Sequence, residues 1–134
     1  MLTVKQSEQD YILIVDDNQE IRDILAHSLE HGGYNVVMAK DGIEATLKMK
    51  NQDFALIITD LNLPKKDGVK LTNEIISMDT TPVLLITGEL ENFEIRLKNL
   101  KNVMLLPKPF KPEIIPLLVS KLISEYKKSK NISA

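Results

Sequence analysis

The chain has 134 residues, 43% of them hydrophobic and 27% charged, with a net charge of −2 and no cysteine. That length suits one domain with a full hydrophobic core. The near balance of charge offers no basic field for nucleic acid, and the missing thiols exclude disulfides and thiolate metal sites. No apolar run approaches the ~20 residues that span a bilayer, and the polar start MLTVKQSEQDY lacks the apolar core of a signal peptide. A cytoplasmic protein without membrane contact is expected.

Residues 1–10 read as an N-terminal extension, 11–128 as the folded domain and 129–134 as a polar tail. YILIV (11–15) predicts a buried strand, and NQEIRDILAHSLEHGG (18–33) a helix with Ile21, Ile24, Leu25, Ser28 and Leu29 at helical spacing. YNVVMA (34–39) predicts a second strand. DGIEATLKMKN (41–51) predicts a helix with Ile43, Leu47 and the Ala45 side on one face. FALIIT (54–59) has the continuous apolar character of a strand buried on both faces. A Pro/Gly loop leads to a helix over 68–77, a strand over 82–87, a helix over 91–101 and a strand over 103–107. The last helix spans 112–128. Pro116 within it is tolerated if it falls in the first turn, and otherwise makes the helix kink or start late. No repeat or linker suggests a second domain.

Five βα units in succession imply an α/β fold, a doubly wound five-stranded parallel sheet in the flavodoxin-like order 2-1-3-4-5. Right-handed crossovers put all strand C-termini on one edge, where ligands bind. Chemistry-bearing residues stand at those ends: Asp16 and Asp17 after strand one, Asp60 after strand three, Thr87 closing strand four and Lys108 after strand five. Neighbouring strands lie ~4.8 Å apart, so the three carboxylates converge. Lys108, two strands from Asp60, stands ~10 Å away at the backbone, a gap a lysine side chain partly bridges.

One aspartate suffices to cap a helix, so a pair needs a further reason. Carboxylates at ~4 Å repel by ~4 kcal/mol at an effective dielectric near 20. Lys108 supplies one positive charge and a divalent cation would supply two. With oxygen donors and no His or Cys, Mg²⁺ is expected. Metal, ammonium and hydroxyl around one carboxylate is also an apparatus for phosphoryl transfer. Asp60, alone on the central strand, is the candidate nucleophile, forming an acyl phosphate.

ILIVDDNQEIRDIL, DLNLPKKDG, LLITGE and LPKPF, in this order and separation, resemble the receiver domain of two-component response regulators, chemotaxis-regulator-like and stand-alone, over essentially the whole chain. The resemblance implies a phosphoprotein that accepts a phosphoryl group on Asp60 from a sensor histidine kinase or phosphotransfer protein. It implies Mg²⁺ held by Asp16, Asp17, Asp60 and the backbone carbonyl of Asn62. It implies Thr87 as the switch, Lys108 as the phosphoryl partner, and a cis Lys108–Pro109 bond. Asn62 and Glu89 occupy positions that affect water attack on the acyl phosphate, which implies a short-lived phosphoryl state. Two features depart from the family pattern. Leu105 replaces the usual aromatic residue three before the lysine, and NLKNVMLL replaces the usual Gly-Ala before strand five.

Simpler roles exist for each residue taken singly. Asp17 could cap the first helix, Thr87 could merely end a strand, and Lys108 could be a solvated surface residue. His27 and His31, spaced i, i+4, lack a third metal ligand, and His31 suits a helix C-terminus. An aspartyl-phosphate phosphatase would want an acid at Asn62. A flavin or nucleotide binder would want glycines and hydroxyls where Asp16 and Asp17 stand. A non-phosphorylated receiver would not need the intact acid set. No enzymatic turnover is expected beyond self-phosphorylation and dephosphorylation. The kinase is expected over the first helix, near Ile21 and Arg22, with an unknown downstream protein or a phosphorylation-dependent dimer carrying the output.

Overall fold

The computed structural model describes residues 11–61, 68–78, 81–88 and 102–129. Its strands are β1 (Tyr11–Val15), β2 (Asn35–Ala39), β3 (Leu56–Asp60), β4 (Val83–Thr87) and β5 (Val103–Pro107). They form one sheet in the order β2-β1-β3-β4-β5, with all four pairings parallel. The helices are α1 (Gln19–His31), α2 (Gly42–Asn51), α3 (Gly68–Met78) and α4 (Ile115–Ser129). The expected helix over 91–101 lies outside the described residues, as do Asn62 and Glu89. Among the described residues no helix is long and apolar enough to cross a membrane.

Strand side chains alternate between two cores, as the pleat requires. Ile12, Ile14, Leu56, Ile58, Leu84 and Ile86 face α1 and α4, where they meet Leu25, Leu29, Ile115, Val119 and Leu122. Leu13, Val15, Ile57 and Val83 face the opposite way, against Ala45 of α2 and Leu71 and Ile75 of α3. Leu25 and Leu29 are fully buried, and each contributes roughly 1.5–3 kcal/mol by leaving water.

The helical faces differ in detail from the pattern read in the sequence. In α1 the buried positions are Leu25, Ala26 and Leu29, while Ile24 is 44% exposed. In α2 the expected face holds only in part: Ala45 is buried, with Gly42 beside it, while Ile43 and Leu47 are 50% and 55% exposed. Ala45 packs among Leu13, Val15 and Ala39, and its small side chain lets α2 lie close to the sheet there. Ile43 and Leu47, two positions to either side, are turned to the surface by the 3.6-residue period.

Pro116 resolves as a late start. Residues Pro112–Ile114 form a 3-10 turn, and α4 begins only at Ile115, so Pro116 sits in the first α-helical turn where its missing N–H costs nothing. Ahead of β5, Asn102 has φ 65°, a left-handed conformation that Asn tolerates. Its carbonyl accepts from Val83 N at 2.9 Å. Asn102 thus makes the turn into β5 in a chain that lacks the usual glycine.

Candidate functional site

The sheet ladder carries on past the strand ends, and that extension assembles the site. Asp16 N donates to Ala39 O at 3.1 Å, Leu61 N to Ile86 O at 3.1 Å and Lys108 N to Thr87 O at 3.0 Å. Asp60 pairs in register with Ile86, and Thr87 with Pro107. Asp60 is itself the last residue of β3, one place earlier relative to the strand than the sequence pattern indicates.

Asp16, Asp17 and Asp60 each offer a carboxylate oxygen, and these lie within 4.8 Å of one another. Asp16 and Asp60 are buried while Asp17 is exposed. The Lys108 ammonium crosses both intervening strand spacings and bonds Asp60 Oδ2 at 2.9 Å. The Lys108–Pro109 peptide is cis. Thr87 is fully buried beside these groups, at the end of β4.

The charges respond to one another as their spacing requires. Burial pushes the Asp16 carboxyl from the ordinary 3.8 to about 6; the Asn18 amide and Lys108 pull against the rise, and Asp60 and Asp17 add to it. Burial works against the Lys108 ammonium, yet the Asp60 hydrogen bond and the three carboxylates outweigh it and raise its pKa above the usual lysine value. Lys108 is therefore a fixed positive charge at neutral pH.

Neither member of the acid pair caps α1. The cap is Asn18, whose Oδ1 accepts from Ile21 N at 3.2 Å. Asp16 Oδ1 accepts instead from Asn18 N at 2.9 Å. The capping role open to Asp17 in the sequence therefore belongs to its neighbour, and Asp17 is left pointing at the cluster. Sequence reasoning missed Asn18, although Asn ranks with Asp as an N-cap and directly precedes the first helical residue. It also missed that the Arg22 guanidinium donates to the Asp16 backbone carbonyl.

His27 and His31 stack edge to face at 4.9 Å between ring centres. Among the described residues only Asp16, Asp17 and Asp60 form a group of three or more metal-ligand residues. The histidines instead line a trough of about 650 Å³ between α1 and the start of α4, with Ile24, Pro112, Glu113 and Pro116. A second hollow of about 260 Å³ meets it at Ile24 and Pro112 and runs past Ile21 and Phe110 to Lys108. Leu105, in the place of the usual aromatic, is partly buried and packs against Leu61 and Leu85.

Comparison with known proteins bears on this arrangement directly. A family model described as the response regulator receiver domain matches residues 12–120. The chain is similar to Protein PetR of Rhodobacter capsulatus, 33% identical over 115 residues, which are 84% of this chain and 48% of that protein. It is likewise similar to the transcriptional regulatory protein CpxR homolog of Haemophilus influenzae, 33% identical over 125 residues, 91% of this chain and 54% of that one. The chain thus spans about half the length of these relatives. Among solved structures, a CheY-like receiver domain protein from Methanospirillum hungatei superposes with a TM-score of 0.79 at 28% identity, covering 90% of this chain and 98% of that one. The chemotaxis response regulator CheY4 of Vibrio cholerae gives 0.76 at 30% identity, over 85% and 98%. The sheet order, the acid cluster at its C-terminal edge and the family match over residues 12–120 agree, and the chain belongs to the response regulator receiver domain family.

Proposed function

We propose that this receiver domain, taken as residues 11–128, is phosphorylated on Asp60 in a Mg²⁺-dependent reaction and that the phosphoryl group switches its protein contacts. The single observation that carries the reading is the 2.9 Å contact of Lys108 with Asp60 Oδ2 inside a cluster of three carboxylates.

The donor set fits the cation. Three carboxylate oxygens within 4.8 Å suit a hard divalent ion, and one of them, on the buried Asp16, is raised to about 6 by burial, with Asp60 and Asp17 adding to the rise. Asp16, Asp17 and Asp60, with the backbone carbonyl of Asn62, would hold Mg²⁺. Bound there, the ion would offset charge on the phosphoryl oxygens.

The protein's own groups supply the rest. An oxygen of the Asp60 carboxylate attacks phosphorus in line as the bond to the donor nitrogen breaks, and the released imidazole takes its proton from solvent. Lys108 sits where it can follow negative charge from the carboxylate to the phosphoryl oxygens. Thr87, buried at the adjacent strand end, is the hydroxyl that answers the new charge. A phosphoryl group adds about −1.5 to −2 charge, enough to bias two arrangements of that strand end and of the neighbouring β5 surface.

The donor is a sensor histidine kinase or phosphotransfer protein. The continuous apolar trough from Ile24 to Lys108 suits a helix of that donor, because it leads from α1 straight to the nucleophile's partner. The output is read by a downstream protein or by a second copy of the chain. Such a donor and this chain would meet in the cytoplasm.

Incubation with acetyl phosphate and Mg²⁺, followed by intact mass, tests the reading. One added phosphoryl group is expected on the wild type and none on Asp60→Asn. No addition to the wild type, or equal addition to Asp60→Asn, overturns it.

A further inference from the structure

We propose that Arg22 is a positioning residue that sets the direction of the Asp17 carboxylate and thereby the affinity of the acid cluster for its divalent cation. The inference rests on the metal reading above.

The helix itself gives no reason for a cation here. Arg22 is the fourth residue of α1, and positive charge near a helix N-terminus opposes the macrodipole. Helical side chains lean back toward the N-terminus, so from position 22 the guanidinium overhangs the strand-to-helix turn. There Nη1 donates to the carbonyl of Asp16.

That carbonyl has run out of strand partners. The β1–β3 register ends at Val15 with Thr59, and the β1–β2 register at Val15 with Ala39. Asp16 spends its own N–H on Ala39 O. A charge-assisted donor from Arg22 fills the vacant acceptor.

The contact acts one residue further on. The Asp16 carbonyl belongs to the planar peptide unit that joins Asp16 to Asp17, so fixing its oxygen fixes the direction in which the Asp17 Cα leaves. The Asp16 carboxylate has its own tether in Asn18 N, and Asp60 has Lys108. Among the described residues no hydrogen bond or ion pair holds the Asp17 carboxylate, which is also the exposed member of the cluster. Its aim depends on its backbone, and Arg22 holds that backbone.

Charge and positioning predict opposite signs. If Arg22 acted only as a nearby positive charge, its removal would tighten cation binding. If it aims Asp17, removal weakens binding. The experiment titrates MgCl₂ into the full chain by calorimetry, for wild type, Arg22→Met and Arg22→Lys. The Asp17 amide is followed by NMR, and the urea midpoint is measured without Mg²⁺.

Weakening of about tenfold is expected for Arg22→Met, as for outer-shell partners of metal ligands. Partial recovery is expected in Arg22→Lys, which restores one donor, together with a shifted Asp17 amide in Arg22→Met before any Mg²⁺ is added. A loss confined to the urea midpoint, with the Mg²⁺ affinity unchanged or tightened, overturns the inference and leaves the metal reading standing. A wild-type chain that binds no Mg²⁺ overturns the metal reading itself, and this inference with it.

Discussion

Replacing Asp16 by Asn should stabilise the cation-free protein at neutral pH. Asp16 is 2% exposed, and burial, with Asp60 and Asp17 adding to it, raises its carboxyl from the ordinary 3.8 to about 6. A rise of that size corresponds to ~3 kcal/mol, which water at the open mouth of the cluster screens to about 1–2 kcal/mol. Because the folded value lies above the unfolded one, the native state binds more protons between pH ~4 and ~6. The stabilisation from protonated Asp16 is therefore complete below about pH 4 and is lost as pH rises through about 6. Above that, the charged side chain is a standing penalty. Asparagine removes the charge and retains an oxygen to accept from Asn18 N. Urea unfolding in EDTA, from pH 4 to pH 8, should give superimposable midpoints at the acid end and an Asp16→Asn advantage of about 1–2 kcal/mol at pH 7.5. Added Mg²⁺ should stabilise the wild type and act less on the variant. A variant no more stable than wild type at pH 7.5, or an advantage independent of pH, would refute the electrostatic reasoning.

Two further substitutions probe the frame around the site. Asn18→Ala should cost about 1 kcal/mol in urea unfolding through loss of the α1 cap, whereas Asp17→Ala should cost nothing in EDTA; a reversal of that order would return the cap to Asp17. Thr72 is fully buried in α3, and its hydroxyl finds no hydrogen-bond partner. Thr72→Val, nearly isosteric, should therefore gain about 1 kcal/mol, read as a rise of about 4 °C in Tm, and a fall would show that the hydroxyl is satisfied.

Which of the described elements form was legible in the chain because each carries a strong local period. The β1 and β5 bounds agree with the apolar runs YILIV and VMLLP, and the parallel sheet follows from the βα alternation. The convergence of Asp16, Asp17, Asp60 and Lys108 was legible too, because parallel strands deliver every C-terminal residue to one edge. Faces were less legible. The apolar residues of α2 suggested Ile43, Leu47 and the Ala45 side as its buried face, yet of these only Ala45 took the contact. How closely a helix approaches the sheet is decided by the residues beneath it, which its own sequence does not contain.

The amino-acid sequence by itself determined the order of the described elements and the chemistry gathered at the sheet edge, since both follow from period and residue type. Only the tertiary structure decided that Asn18 rather than Asp17 caps α1, that Lys108 closes fully on Asp60, and that Arg22 reaches the Asp16 carbonyl. Each of these is a choice among several partners within reach of one side chain. Such choices are settled by distances of a few tenths of an ångström that exist only once the strands and helices have packed.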